Sequence, residues 1–197
     1  MTGAQKASIR GPAIACGALV AAMVAALRIE GRRWWCACGD AKPWSWDVWS
    51  SHCSQHVVDP YSLSHFSHGL IGFALLHPAA RRLGIGWRFC LVLAFATGWE
   101  VLENSSLVIE RYRSATMSLD YLGDSVINSL GDVAACALGF ATAQRIGWLR
   151  GLGLFVALDL LSLWWIRDNL TLNVLMLVWP VDAIRHWQTV GHVPLAP

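Results

Sequence analysis

Long apolar stretches alternate with short polar connections along the chain. A helix needs about 20 apolar residues to cross a hydrocarbon core of ~30 Å. We find five candidate stretches and a sixth that is short and contains Pro180. Strands of a membrane barrel would be alternating segments of about ten residues, whereas these runs are continuous. The pattern therefore predicts an all-α, polytopic membrane bundle of six helices, with five as the alternative. The stretches cover residues 12–27, 65–80, 87–109, 124–143, 151–166 and 172–187.

The composition agrees with this pattern. Hydrophobic residues make up 55% of the 197 residues and charged residues only 14%, whereas a soluble domain carries about 25% charged residues. The same numbers exclude a disordered chain. Twelve tryptophans favour a membrane–water boundary. We expect a single integral membrane domain, residues 1–197, with membrane lipids and no nucleic acid among its partners.

Arginines predict the orientation of the helices. The connections at residues 81–88 and 145–150 are densely basic and lack acidic residues. Because such loops favour the cytoplasm, we place both of them and the N-terminus there. The first connection, residues 30–64, then faces outward. We expect this segment, which is rich in His, Trp and Cys, to cover the outer end of the bundle.

The cysteines divide between the helices and this outer connection. Cys36, Cys38 and Cys53 lie in the connection, where an oxidising compartment would favour a disulfide. The pairing that we expect is Cys53 with Cys36 or Cys38. The other three cysteines lie within predicted helices, and we expect them to pack as small apolar residues.

Polar residues concentrate at the outer ends of the predicted helices. A charge at the membrane centre costs about 2.5–3.5 kcal/mol, so such residues face the bundle interior or a wet cavity. We therefore predict a polar pocket that opens outward beneath the first connection. Candidate catalytic residues, which would hold a metal or act as acid and base, are Glu100, Glu103, Asp120 and Asp124. Candidate ligand-binding residues are Asn104, Arg111, Arg113, Asn128, Asp132, Arg167, Asp168 and Asn169.

Four histidines form the predicted metal ligands. His65 and His68 are three residues apart and lie on one face of a predicted helix, and His52 and His56, four residues apart, would share a face if their segment is helical. Together with the carboxylates they supply enough nitrogen and oxygen ligands for one or two divalent ions. The identity of such a metal, and of any other cofactor, stays open because no recognised zinc-binding spacing is present.

Three interpretations of the pocket remain open, and with them the question of whether the protein is an enzyme. Its polar groups could form a structural network that holds the helices together. They could be an active site for a lipid-linked or phosphate-bearing envelope substrate. They could also bind or transport a small polar ligand or ion. Residues 134–141 of the fourth predicted helix are apolar, which disfavours a continuous transport path.

Many short motifs occur in order over residues 34–188. They are Ser54-Gln55-His56, Asp59-Pro60-Tyr61-Ser62, His65-Phe66-Ser67-His68-Gly69, Trp99-Glu100, Glu103-Asn104-Ser105, Arg111-Tyr112-Arg113, Ser118-Leu119-Asp120-Tyr121, Gly123-Asp124-Ser125, Asn128-Ser129, Asp132 and Arg167-Asp168-Asn169. Together they resemble an uncharacterised bacterial inner-membrane family, the domain-of-unknown-function 2585 family. The resemblance implies a multi-pass protein of the bacterial plasma membrane and no established activity.

More remotely, Glu100 and Glu103, then Arg111 and Arg113, then Asp124 and Asn128 are similar to a pattern in VanZ-like membrane proteins, which are associated with glycopeptide tolerance.

Overall fold

Helices account for all the regular elements in the computed structural model of the protein, which describes residues 3–118 and 120–190. The predicted all-α class is confirmed. The ends of the predicted domain and Leu119, part of one family motif, lie outside the described residues. A short 3-10 helix covers Pro78–Arg81. The α-helices are α1 (Gly3–Ile29), α2 (Ser62–Leu75), α3 (Ile85–Glu103), α4 (Ser106–Ala115), α5 (Val126–Ile146), α6 (Trp148–Ile166), α7 (Leu170–Val178) and α8 (Asp182–Thr189).

Four of these helices are long and apolar enough to cross a membrane, namely α1 from Arg10 onward, α3, α5 and α6. They indicate a helical membrane bundle. The second predicted span is shorter than expected, because α2 has 14 residues and a rise of 1.5 Å per residue gives it a length of only about 21 Å. The sixth is interrupted, since α7 has nine residues and Pro180 follows it. Proline lacks the backbone N–H that a continuing helix needs.

The third predicted span is divided into two helices. It was expected to run continuously over residues 87–109, but α3 ends at Glu103 and a new helix, α4, begins at Ser106. Ser105 caps α4, since its hydroxyl accepts a hydrogen bond from the backbone N–H of Val108 at 3.4 Å. Serine favours this role because its side chain satisfies an N–H that has no partner inside the helix. Polar residues after Glu103 therefore lie on a separate element.

The short helix α2 lies at the centre of the bundle, against α3, α5 and α6, while α1 packs on α3. Its contact with α5 is close because glycines lie on both sides. A Cβ added at Gly69 would lie 2.0 Å from the carbonyl oxygen of Cys136, and one at Gly139 would lie 1.9 Å from that of Phe66. Small residues of this kind allow helix backbones to approach each other in membranes.

The connection between α1 and α2 lies across the N-terminal end of α5. The backbone N–H groups of Ser125 and Val126 donate to the carbonyl oxygens of Ser54 and Arg33 at 2.9 and 2.8 Å. The first N–H groups of a helix have no partner within it, so the connection supplies acceptors that this buried end needs. The connection is thereby fixed on α5.

We predict that Gly139→Ala destabilises the protein by about 1–3 kcal/mol, because the added methyl group would overpack the contact between α5 and α2. The matched control is Gly153→Ala on α6, where a Cβ meets nothing within 4 Å. That change should leave stability equal or raise it, since alanine favours a helix more than glycine does. Thermal unfolding in detergent measures both. Equal melting temperatures for the two variants would contradict the close contact.

Candidate functional site

A cavity of ≈ 260 Å³ lies beneath the connection. It is formed where α2 begins, α3 ends and α5 begins, so α3 runs antiparallel to the other two helices. The walls include side chains from the connection, from the segment after α4 and from the start of α7. The lining residues that the sequence singled out are His65, His68, Glu103, Asp120, Asp124 and Asp132.

Three side chains form a compact group, here called the His/Glu cluster, that consists of His65, Glu100 and Glu103. His65 and Glu103 line the cavity, whereas Glu100 is in contact with the ring of His65 and does not line it. One potential ligand atom from each lies within 4.8 Å of the others. The Nδ1 atom of His65 is 3.2 Å from Oε1 of Glu100, and both side chains are less than 10% exposed. The three residues come from α2 and from the last turn of α3. Only the packing of these helices brings them together.

Several buried polar atoms of this cluster have no hydrogen-bond partner among the described residues. They include both carboxylate oxygens of Glu100, one oxygen of Glu103 and Nδ1 of His65. The short approach of His65 to Glu100 has the distance of an ion pair without the direction of a hydrogen bond. The second oxygen of Glu103 accepts from the hydroxyl of Tyr112 at 2.7 Å. Unsatisfied buried carboxylates are costly, so this group is suited to a cation.

Asp124 is held by a defined set of donors. The side-chain amide of Asn104 donates to Oδ2 and the hydroxyl of Tyr121 donates to Oδ1, both at 2.9 Å. The backbone N–H of Asp124 donates to Oδ1 of Asn104 at 2.7 Å. Burial raises the pKa of Asp124 to about 6, against the lowering effect of Tyr121 and Asn104. Asn104 thus positions a cavity carboxylate without lining the cavity itself.

The catalytic and ligand-binding assignments omitted Asp59, which also lines the cavity. Its carboxylate accepts from the backbone N–H groups of Ser54, Tyr61 and Ser62 at 2.9, 2.7 and 3.2 Å. Burial raises the pKa of Asp59, and these hydrogen bonds oppose the shift. The sequence signal was an aspartate just ahead of an apolar helix, the position of a helix cap. Three lining tyrosines were also missed because their hydroxyls give no pattern: Tyr61, Tyr112 and Tyr121.

Two further polar residues of α5 belong to this network. Asn128 donates from its side chain to the carbonyl oxygen of His56 at 2.8 Å and does not line the cavity. Asp132 does, and its Oδ1 accepts from the hydroxyl of Ser62 at 2.9 Å. The four-residue spacing correctly placed both on one face of a helix, while their different partners come from the connection and from α2.

The predicted ligand-binding arginines lie outside the cavity. The Nε atoms of Arg111 and Arg113 donate to the carbonyl oxygens of Leu177 at 2.8 Å and Tyr121 at 2.6 Å. Arg167 donates to the carbonyl oxygen of Val190 at 3.1 Å. Among the described residues that line the cavity there is no Arg or Lys. The cavity is therefore acidic, because the carboxylates face it without the expected cationic partners.

Asp168 and Asn169 also lie outside the lining and join the ends of three helices. The side chain of Asn169 caps α7 by accepting from the backbone N–H of Leu172 at 2.8 Å. Asp168 accepts from the side-chain amide of Gln188 at 3.1 Å and from the hydroxyl of Tyr61 at 3.3 Å. These contacts attach α7 and α8 to the start of α2.

The four predicted metal-binding histidines separate into two places. His65 and His68 adjoin the cavity, with ring centroids 5.3 Å apart. The other two lie in the connection, in a group whose potential ligand atoms all lie within 4.8 Å of one another. This group, here called the Cys/His cluster, consists of Cys36, Cys38, His52 and His56.

The expected disulfide is absent from the structure, and all six cysteines are free. Cys36 and Cys38 face histidines in the Cys/His cluster. The thiol of Cys53 points elsewhere, with Sγ 3.9 Å from Oδ2 of Asp59. The pairing prediction was wrong because spacing along the chain does not determine which side of the folded connection a thiol occupies.

Comparison with known proteins gives the family. Residues 27–190 match the family model described as "Protein of unknown function (DUF2585)". The chain belongs to this family. A UPF0314 protein of Paracoccus denitrificans is 46% identical over 80% of this chain and 82% of its own length. A UPF0314 protein of Sinorhizobium fredii is 45% identical over 89% of each chain. One from Novosphingobium aromaticivorans is 43% identical over 92% of this chain and 94% of its own.

No solved structure matches the chain. The expected membership of the 2585 family is thus confirmed, while the remote similarity to VanZ-like proteins is not shown by these matches. The relatives' names state no activity, so the family does not assign a function to the cavity.

We predict that stability depends on the protonation of Asp168. Burial raises the pKa of Asp168 to about 6, against the lowering effect of its hydrogen bonds. The folded protein therefore binds this proton more tightly than the unfolded chain does. The carboxyl contributes most below pH ~4, and its contribution is lost as the pH rises through about 6. Asp168→Asn should thus gain stability relative to the parent between pH 4 and 7, by at most about 3 kcal/mol.

Thermal unfolding in detergent across this pH range measures the effect. Asp182→Asn, at an exposed position in α8, is the matched control and should give a curve parallel to the parent's. A parallel curve for Asp168→Asn as well would show that this buried carboxyl does not titrate in the range.

Proposed function

We propose that the protein is a membrane metalloenzyme that binds a divalent cation at the His/Glu cluster and acts on a phosphate-bearing, lipid-linked substrate. The observation that carries the proposal is that both carboxylate oxygens of Glu100 and one of Glu103 are buried next to His65 and have no hydrogen-bond partner among the described residues. One imidazole nitrogen and two carboxylates match the ligands of catalytic zinc and manganese sites. Three protein ligands leave positions open for water and substrate.

The surroundings of the cluster support hydrolytic chemistry. Nε2 of His65 lies 3.9 Å from Oδ2 of Asp132, so a carboxylate lies on the side of the ring opposite Nδ1, the nitrogen that would hold the metal. A bound metal lowers the pKa of its water and supplies a nucleophile. Asp124 lines the same cavity and is a candidate base for that water.

The charge of the cavity supports a cation as the group that binds the substrate phosphate. Carboxylates alone would repel a phosphate group, and the described lining contains no Arg or Lys to neutralise them. A divalent ion changes the local sign of charge and bridges carboxylate to phosphate. Phe95, Trp99, Leu170 and Val174 give the same cavity an apolar wall. Phe95 is 61% exposed on α3, which supports access for a lipid chain from the bilayer.

The two other interpretations account for less of this arrangement. A purely structural network pairs its members, whereas Glu100 is 1% exposed with both oxygens unsatisfied. A transport path would need polar groups along α5 beyond Asp132. Instead, Cys136 and Phe140 lie there, and both are fully buried in the apolar core.

We also propose that the N-terminus lies in the cytoplasm and that the cavity faces the outer side of the bacterial inner membrane. The basic connections at residues 81–88 and 145–150 support it. In a background whose connection cysteines Cys36, Cys38 and Cys53 are replaced by serine, an impermeant thiol reagent should therefore label Ala41→Cys, exposed in the connection, in intact spheroplasts. In the same background Arg82→Cys, exposed at the opposite end of α2, should be labelled only after lysis. The reverse pattern would overturn the orientation.

We predict that Glu100→Gln and Glu103→Gln lose binding of Mn²⁺ or Zn²⁺ at the cavity. In the parent protein, Mn²⁺ at a hundredfold excess over its Kd should stabilise the fold by about 2.7 kcal/mol, and this gain should disappear in both variants, since the thiolates of the other cluster disfavour Mn²⁺. Without metal, the variants should be at least as stable as the parent because an unpaired buried charge is removed. Glu110→Gln, at an exposed position on α4, is the matched control and should behave as the parent does.

Catalysis is tested with the purified protein, Mn²⁺ or Zn²⁺, and phosphate-bearing lipids extracted from the source membrane. Release of phosphate by the parent and its loss in Glu103→Gln would support the enzyme. Metal binding without release of phosphate would contradict the enzyme and indicate a cation-binding protein. Equal stability of parent and variants with metal, together with destabilised metal-free variants, would favour the structural network instead.

A further inference from the structure

We propose that the Cys/His cluster is a zinc site, separate from the cavity cluster, with the ligands Cys36, Cys38, His52 and His56. Two thiolates and two imidazoles are a donor set that zinc prefers. Sγ of Cys36 lies 3.2 Å from Nδ1 of His52, and Sγ of Cys38 lies 3.8 Å from Nε2 of His56. Tetrahedral zinc places such ligand atoms about 3.3–3.8 Å apart. The two cysteine–histidine pairs are therefore near the separations that one ion requires.

Hydrogen bonds around the cluster prepare His56 for this role. Its Nδ1 lies 2.5 Å from the carbonyl oxygen of Lys42. A carbonyl oxygen only accepts, so Nδ1 carries the proton and Nε2, the atom nearest Cys38, keeps its lone pair. Metal-binding histidines characteristically donate their second ring N–H to a backbone carbonyl or carboxylate. The tautomer that binds zinc is thus selected by the fold of the connection.

The two sulfur atoms receive backbone hydrogen bonds of their own. The N–H of Cys38 donates to Sγ of Cys36 at 3.5 Å, and the N–H of Asp40 donates to Sγ of Cys38 at 3.4 Å. Such donors stabilise negative charge on sulfur, and the thiolate is the form that binds a metal. Cys36 and His56 are buried, while Cys38 remains exposed, which leaves a route for the ion to enter.

The position of the cluster indicates that a bound zinc would stabilise the fold of the connection. The ligands close the connection on itself between residues 36 and 56, a stretch with few other regular contacts beyond a bridge between Trp44 and Val58. The carbonyl oxygen of His56 accepts from Asn128 on α5. Residues 48–51 and 53–55, within the closed loop, line the cavity. Zinc would therefore fix the cover of the cavity, whether or not the cavity itself binds metal.

Metal analysis of the purified full-length protein in detergent tests the site. The Cys36→Ser/Cys38→Ser double variant should contain one zinc fewer per chain than the parent. Glu100→Gln/Glu103→Gln should keep that zinc, so loss of the cavity metal and loss of this ion are separate results. Cys53→Ser is the matched control, because its thiol faces Asp59 and lies outside the cluster. It should keep the ion too.

Cobalt provides a spectroscopic signature. Protein loaded with Co²⁺ should show a thiolate-to-cobalt charge-transfer band, which a His/Glu site cannot produce. The band should persist in the glutamate variant and vanish in the cysteine double variant. Equal zinc content in parent and double variant, cobalt-loaded parent without this band, or a Cys36–Cys38 disulfide in the native protein would each overturn the proposal.

A measurement that leaves all the cysteines in place covers the case of a cysteine double variant that fails to fold. A strong chelator should release one zinc per chain from the Glu100→Gln/Glu103→Gln background and speed chymotryptic cleavage after Trp44 and Trp46, which are exposed within the closed loop, severalfold. Added Zn²⁺ should restore the slow cleavage. Cleavage that ignores both chelator and zinc would contradict a structural ion in the connection.

Discussion

The close contact of α2 with α5 determines where the chemistry of this protein lies. The helix α2 is about 21 Å long by its residue count, too short to cross a bilayer alone, yet it occupies the centre of the bundle. Gly69 and Gly139 remove the side chains that would keep the two backbones apart. Because α2 packs so closely, its first turn carries His65 to Glu100 on α3 and to Asp132 on α5. A bulkier contact would separate these groups.

Burial then determines what the polar residues do. A carboxylate taken out of water is costly unless it has partners, and the acids at this end of the bundle meet the requirement in different ways. Asp59, Asp124 and Asp168 have donors from backbone or side chains. At Glu100 no described donor reaches hydrogen-bond geometry, although the hydroxyl of Ser129 lies near it. The acids with complete sets of donors hold helices and loops together, whereas the one without is the natural place for a cation.

The connection between α1 and α2 links the bundle to its cover. Its carbonyl oxygens accept hydrogen bonds from the buried N–H groups at the start of α5. It also lies over the cavity and contains the Cys/His cluster. The hydrogen bonds within this segment belong to separate turns and side-chain caps, and its described residues form no helix or strand. Attachment to α5, and an ion held by side chains from both of its ends, would supply the order that secondary structure does not.

Local patterns along the chain were sufficient for several conclusions. Apolar runs predicted helices in a membrane because the bilayer requires internally satisfied backbones, and the four-residue spacing of Asp124, Asn128 and Asp132 indicated one face of a helix. Ser105 and Pro180, by contrast, ended helices that hydrophobicity alone predicted to continue. Capping and the missing proline N–H are short-range effects that an average over 20 residues conceals.

The sequence by itself thus determined the helical membrane class, the family and the clustering of polar residues at one end of the bundle. Only the tertiary structure decided their partners. Arg111 and Arg167 were expected beside the carboxylates, but they bind backbone carbonyl oxygens elsewhere. His52 and His56 were grouped with His65, but they meet two cysteines instead. The reason is physical: spacing determines the face of a helix, whereas the neighbour of that face depends on how helices and connections pack across long separations in the chain.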